Sequence, residues 1–255
     1  MEYNIKKREE DIDKLKSNDE SLIKFSLNCQ SYTNIENIRQ IGEALKNNTN
    51  LKELELKHCN LCEQSAIIIS EALKVNTTLE TLDFDDNNVG DMGAIAISSA
   101  LEINTTLTSL YLHKTNIGIN GTIAISNALN LNTTLKILYI GNNNIGECGL
   151  NSICQALKNN TTLQILNLTW NDIDNNGANI IADMIKLNSS LTHLDISYNK
   201  FSEDGKNTIR DALQSNCTLT KLSGLDVGDL LSEENIQIRN RFLTTKCSKK
   251  KIENN

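Results

Sequence analysis

The 255-residue sequence predicts a right-handed α/β solenoid of stacked strand–helix repeats, and three observations carry that expectation. First, a frame set by the leucine after each polar Asn-Thr-Thr-like triplet returns at Leu51, Leu79, Leu107, Leu135, Leu163, Leu191 and Leu219, always 28 residues apart. Second, the opening of each copy has the alternation of a short strand. Third, the second half of each copy has the i, i+3, i+4 spacing of a helix.

The strand half reads L-x-x-L-x-L-x-x-N-x-I, as in Leu163, Leu166, Leu168, Asn171 and Ile173. Leu166 and Leu168 are two apart and so share one face of a strand. Asparagine at the ninth place (Asn87, Asn143, Asn171, Asn199) suits a point where the chain leaves the strand and its backbone groups need new partners. Cys59 and Thr115 replace it in two copies. Glycine pairs such as Gly90 and Gly93, or Gly146 and Gly149, then suit a tight entry into a helix.

The helix half places Ile97, Ala100 and Leu101 on one face, and Ile125, Ala128 and Leu129 in the next copy. An isoleucine rung runs through Ile69, Ile97, Ile125, Ile153, Ile181 and Ile209. Small alanines, Ala72, Ala100, Ala128, Ala156 and Ala212, let helix approach strand. Each helix is expected to end in a polar Asn-Thr-Thr loop. No single copy can bury its leucines, and stacking does so at roughly 1.5–3 kcal/mol per large side chain.

These motifs resemble the ribonuclease-inhibitor-like leucine-rich-repeat family. The resemblance implies a horseshoe with strands inside, and it spans residues 22–218 as seven repeats starting at 22, 51, 79, 107, 135, 163 and 191. Residues 1–21 read as an N-terminal helical cap with Ile5, Ile12 and Leu15 as core candidates. Residues 219–255 read as a decayed repeat, a cap helix with Ile236, Ile238 and Phe242, and a basic tail. The family includes nuclease inhibitors, sensing arms of NOD-like immune receptors, Ran GTPase-activating proteins and bacterial effectors.

Composition narrows the function. A net charge of −7, from 25 basic and 32 acidic residues, argues against general phosphate-backbone binding. Apolar runs of four or five residues are far short of a bilayer span, and the first twenty residues show no secretory h-region. Seven cysteines without such a signal favour free thiols in a reducing, cytoplasmic setting.

No catalytic signature of the P-loop, nucleophile-elbow or zincin type is present. Asp172-Ile173-Asp174-Asn175-Asn176-Gly177 with Asp183 imitates a calcium loop, but Gly177 is the repeat glycine and Asn179 stands at a normally apolar place. Cys59-Asn60-Leu61-Cys62 lacks the second pair a closed zinc site needs. Sequons such as Asn76-Thr77-Thr78 are repeat loops, and Lys249-Lys250-Lys251 reads as a solvated run. His113 near Tyr111 and Asp83 has no nucleophile, metal or pocket beside it. Neither an enzyme nor a cofactor is expected.

The places the repeat leaves free are three, five and seven, facing out of the inner sheet, and eight on its rim. They hold the only tryptophan, Trp170, all three histidines and three of the five tyrosines. Tyr111, Tyr139, Asn167 and Asp195 are expected in one row across four strands about 4.8 Å apart, with Glu53, Glu55, Asp83, Asp85 and Asp86 on its N-terminal side. The expected function is non-enzymatic binding of a protein partner by a monomer. Tyr111, Tyr139, Trp170 and Tyr198 serve as anchors, while Asp83, Asp85, His113, His193 and Asp195 set specificity. The alternatives are stimulation of a small GTPase, by resemblance to Ran GTPase-activating proteins, and an effector or immune-sensor role. The acidic C-terminal segment of the Ran activators is absent here.

Overall fold

The computed structural model describes residues 2–27 and 34–225. The proposed cap helix after Ser232, the basic tail and the Ile5 side chain lie outside the described residues. A leading helix, α1 (Glu2–Lys16), precedes β1 (Lys24–Ser26) and α2 (Ile35–Asn47). There follow β2 (Glu53–Glu55), α3 (Glu63–Leu73), β3 (Thr81–Asp83), α4 (Gly90–Leu101), β4 (Ser109–Tyr111) and α5 (Ile119–Leu131). The rest are β5 (Ile137–Tyr139), α6 (Gly146–Asn159), β6 (Ile165–Asn167), α7 (Asn175–Leu187), β7 (His193–Asp195), α8 (Glu203–Leu213) and β8 (Lys221–Ser223).

The eight strands form one parallel sheet in chain order, and the register steps by one repeat at each pair, as Leu82 to Leu110 to Leu138. Strands pack about 4.8 Å apart and helices roughly 8–10 Å apart, so a layer of each joined one to one must bend with the strands inside. The result is an α/β solenoid horseshoe.

Its core is the leucine frame. Leu51, Leu54 and Leu56, and their counterparts in later repeats, are almost wholly buried, and so is the isoleucine rung from Ile69 to Ile209. In α1, Ile12 and Leu15 are buried against the first repeat and close that end.

Two ladders of asparagine tie repeat to repeat. Asn87 accepts the N–H groups of Cys59 and Leu61 on Oδ1 and donates Nδ2 to Leu56 O and Phe84 O at 2.8 Å each. Asn143 and Asn199 repeat the pattern. Thr115, lacking an amide, turns its hydroxyl to Leu112 O instead.

The second ladder lies in the polar loops expected at the helix ends. The leading asparagine of each Asn-Thr-Thr-like triplet, Asn76, Asn104, Asn132, Asn160, Asn188 and Asn216, is buried. Asn104 Nδ2 donates to Leu73 O at 2.9 Å and Asn76 O at 3.0 Å, while its Oδ1 accepts from the N–H groups of Thr106 and Leu107. A helix leaves its last carbonyls without intrahelical donors, and here the following repeat supplies one.

The thiol expectation needs a correction. Cys62, Cys148 and Cys154 are free, but Cys217 is disulfide-bonded.

Candidate binding face

The concave sheet carries two parallel rows. Place five runs Ser26, Glu55, Asp83, Tyr111, Tyr139, Asn167, Asp195 and Ser223, each the Cα partner of the next. Place three runs Lys24, Glu53, Thr81, Ser109, Ile137, Ile165, His193 and Lys221. Tyr111, Tyr139, Asn167 and Asp195 therefore stand in consecutive register, with the acidic residues before them. Tyr111 and Tyr139 meet edge to face, ring centroids 4.9 Å apart.

These places are less open than an outward-facing strand position suggests. Asp83, Ser109 and Thr169 are buried, because side chains on a concave face crowd their neighbours at strand spacing. Gly141 accentuates this: a Cβ there would lie 2.5 Å from Thr169 Oγ1 and 2.9 Å from His113 Nδ1, so its bareness makes room for the His113 ring. Burial also holds His113 below the usual histidine range.

The acidic end is partly occupied by structural work. Asp83 Oδ1 accepts the Asp85 N–H at 2.9 Å, and Asp85 Oδ1 accepts the His113 N–H at 2.7 Å. Asn167 and Asp195 make the same short-range bond to Thr169 and Ser197. Lys24 pairs with Glu53 at 3.0 Å and also with Glu55, and Lys114 pairs with Asp86 at 2.7 Å. Burial, and then the Asp83 charge, push Asp85 up to about 7. The burial of Asp83 raises it as well.

Place eight forms the rim, and sequence reasoning missed what is special about it. The backbone ladder continues past the strands, with Asp86 N bonding His113 O and Trp170 N bonding Ser197 O. At that point the chain turns through the left-handed region: His58, Asp86, Lys114, Asn142, Trp170 and Tyr198 all have φ between 52° and 58°. Asparagine, aspartate and histidine are tolerated there, whereas bulky residues are costly. The signal was available, since three of the six residues are of those types. Trp170 and Tyr198 occupy the costly place in adjacent repeats, are 54% and 69% exposed, and stack with centroids 4.6 Å apart and planes 14° from parallel.

The four aromatics expected as anchors thus fall into two groups, Tyr111 with Tyr139 on the floor and Trp170 with Tyr198 on the rim. His193 and Asp195 are half-buried on the strand between rim and end, and the His193 Nδ1 lies 2.9 Å from Thr192 Oγ1. Beyond the rim a cleft of about 360 Å³ is lined by Glu147, Leu150, Asp172, Ile173 and Asp174 among others. The residues of the calcium-like segment are engaged otherwise. Asp174 caps α7 through the N–H groups of Asn176 and Gly177, and Asp172 pairs with Lys200 at 3.1 Å.

Comparison with known proteins agrees with this architecture. The model of the TMOD/LMOD leucine-rich domain matches residues 4–119, and a leucine-rich-repeat model matches 131–154, 159–181 and 187–205. The chain is a leucine-rich-repeat protein. Among solved structures, it is similar to leiomodin-1 actin-binding site 2 (16% identity, 96% of this chain and 94% of that one, TM-score 0.37). It is also similar to the tropomodulin C-terminal domain of Caenorhabditis elegans (15%, 82% and 92%, TM-score 0.42). A protein of Bacteroides fragilis matches at 13% identity over 85% of this chain and 68% of that one, with a TM-score of 0.50, a likeness of fold. No curated protein matches.

Proposed function

We propose that the chain is a non-enzymatic scaffold that holds or blocks a protein partner on its concave face and rim, acting in the cytoplasm as a monomer. The observation that carries this reading is the stacked Trp170–Tyr198 pair, two large aromatics left open to solvent at backbone positions that disfavour them. Aromatic rings of this kind dominate binding hot spots, and strain tends to persist where function needs the residue. Tyr111 and Tyr139 extend the apolar surface onto the floor. Asp83, Asp85, His113, His193 and Asp195 supply the polar discrimination. The mechanism is occupancy, with no covalent change to the partner and no cofactor.

The repeat type we favour is the ribonuclease-inhibitor-like one, on the strength of the 28-residue period. The first partner to test is actin, because the TMOD/LMOD model covers residues 4–119 and the leiomodin-1 segment to which the chain is similar is an actin-binding site. Purified actin, as monomer and as filament, is mixed with wild type and with a Tyr139→Ala/Trp170→Ala/Tyr198→Ala variant whose circular dichroism matches. Binding by wild type and its loss in the variant support both the face and the partner. Binding by both forms moves the site off the concave face. Capture of another protein by wild type alone keeps the face and replaces actin.

A further inference from the structure

One seam between repeats is built differently from its neighbours. At the starts of α3, α4, α5 and α7 one side chain reaches over the start of the next helix. Glu63 and Ile119 lie against Gly90 and Gly146. Asp91 accepts the N–H groups of Gly118 and Gly121 at 2.7 and 3.0 Å, and Asn175 accepts the Ser202 N–H at 2.9 Å. Glu147 holds the same repeat place in α6, but the receiving place, glycine at Gly90, Gly118 and Gly146, is now Asp174. Asp174 takes the N–H groups of Asn176 and Gly177 for itself. Glu147 is left exposed, without a hydrogen bond or ion pair among the described residues. A second departure lies beside it. Where other helices meet, Ala66, Ala94 and Ala178 face Gly93, Gly121 and Gly205, and Thr122 faces Gly149, whereas in α6 the place is Leu150, against Gly177. The larger side chain holds the two helix starts apart. From α2 to α8, α6 and α7 are the least closely packed neighbours, and the cleft of about 360 Å³ opens between them.

The lining decides what fits. Glu147, Asp172 and Asp174 border the cleft with no basic group among the lining residues, over a floor of Leu150 and Ile173 that is almost wholly buried. Asp174 is engaged at the start of α7. Asp172 pairs with Lys200 between exposed side chains, where water weakens the attraction. The Glu147 carboxylate alone is uncompensated. Two helix starts meet here and by themselves would draw an anion, but each already has its carboxylate, Glu147 in the first turn of α6 and Asp174 capping α7. A neutral apolar group would strip water from Glu147 and give nothing in return. The match is a side chain with an apolar stem and a cationic end, its methylenes over Leu150 and Ile173 and its charge at Glu147. The cleft adjoins the rim, since its lining residues Asn171, Asp172 and Ile173 follow Trp170 directly in the chain.

We infer that the cleft between α6 and α7 is a specificity pocket for an arginine side chain of the protein that docks on Trp170 and Tyr198. The identity of that protein rests on the function proposed above; the chemistry of the pocket does not. The probe is N-acetyl-arginine amide, and N-acetyl-citrulline amide is its neutral, nearly isosteric control. Binding is read from the amide resonances of Gly146, Gly149 and Gly177 in titrations of the whole protein. The arginine probe is expected to shift them saturably, and the citrulline probe to bind at least fivefold more weakly. Glu147→Gln, with an unchanged melting temperature, is expected to bind the arginine probe at least fivefold more weakly. A Trp170→Ala/Tyr198→Ala variant is expected to bind it as wild type does, so that failure of the pocket is distinguished from failure of the rim. A partner captured through the rim is expected to lose at least fivefold in affinity for Glu147→Gln. The inference is overturned if the two probes bind equally, if Glu147→Gln changes nothing, or if no saturable shift is seen. Tighter binding of acetate at the same amides overturns it, as does loss of the shifts in the rim variant, which would put the probe on the aromatics.

Discussion

Asp85 takes the backbone N–H of His113, one repeat further on, onto its Oδ1 at 2.7 Å, while Asp83 beside it is buried with its own charge. Burial first, and the Asp83 carboxylate next, raise Asp85 from 3.8 to about 7. An acid raised on folding binds its proton more tightly in the native state than in the unfolded one. The native state is therefore favoured at low pH and loses that advantage as pH climbs from about 4 through about 7. The upward shift of Asp83 adds in the same direction. Asp85→Asn keeps an acceptor for His113 and removes the charge. Its melting temperature should exceed that of wild type at pH 8, by a stability gain on the order of a few kcal/mol, and match it near pH 4.

Replacing Trp170 and Tyr198 by asparagine separates stability from binding. The left-handed backbone costs a bulky residue roughly 1–3 kcal/mol and asparagine less. The lost stack gives back about 0.5–1.5 kcal/mol. The two terms nearly cancel, so chemical denaturation of Trp170→Asn/Tyr198→Asn should shift by less than about 1 kcal/mol per site. Partner binding should fall at least tenfold in the same protein. A large loss of stability would show that the rings hold the rim together instead of serving a partner.

Asn104→Ala should be among the most damaging single changes. It removes two donated and three accepted bonds at a buried site. Stranded buried groups cost about 1–3 kcal/mol each, so a loss of roughly 3–5 kcal/mol is expected in urea unfolding. Thr105→Ala, one exposed residue away, should change stability by less than about 0.5 kcal/mol.

The cysteines should react in an order set by place in the repeat. Cys154 is buried in α6, and burial pushes its thiol up to about 12. Cys62, exposed at the start of α3, is lowered: partial burial works against it, but the hydrogen bonds of Ser65 and the Gln64 N–H outweigh that. Iodoacetamide followed by mass spectrometry should label Cys62 within the native state and Cys154 only after unfolding. Native labelling of Cys154 at a comparable rate would contradict the packing of α6.

The leucines and isoleucines were legible because their period is local and their burial repeats with it. Asn76 and its counterparts were not, since Asn-Thr-Thr has the composition of a surface loop, and only contact with a carbonyl about thirty residues earlier reveals the amide as buried. Asp83 and Asp195 were read as free specificity groups, yet each also bonds the backbone two residues on, a use that their place before the left-handed turn makes intelligible. Cys217 was not readable at all, because pairing depends on proximity and not on count. The row of Tyr111, Tyr139, Asn167 and Asp195 was readable for the opposite reason: a fixed 28-residue step leaves the register no freedom.

Both asparagine ladders point the same way. Asn76 donates to Leu45, Asn104 to Leu73, Asn132 to Leu101 and Asn216 to Ile185, while Asn87 reaches back to Leu56 and Asn143 to Leu112. Each newcomer in the stack brings the amide that closes the carbonyl left open by its predecessor. The stack therefore has a polarity: an asparagine lost from one repeat leaves its carbonyls open in the repeat before it, not in the one after.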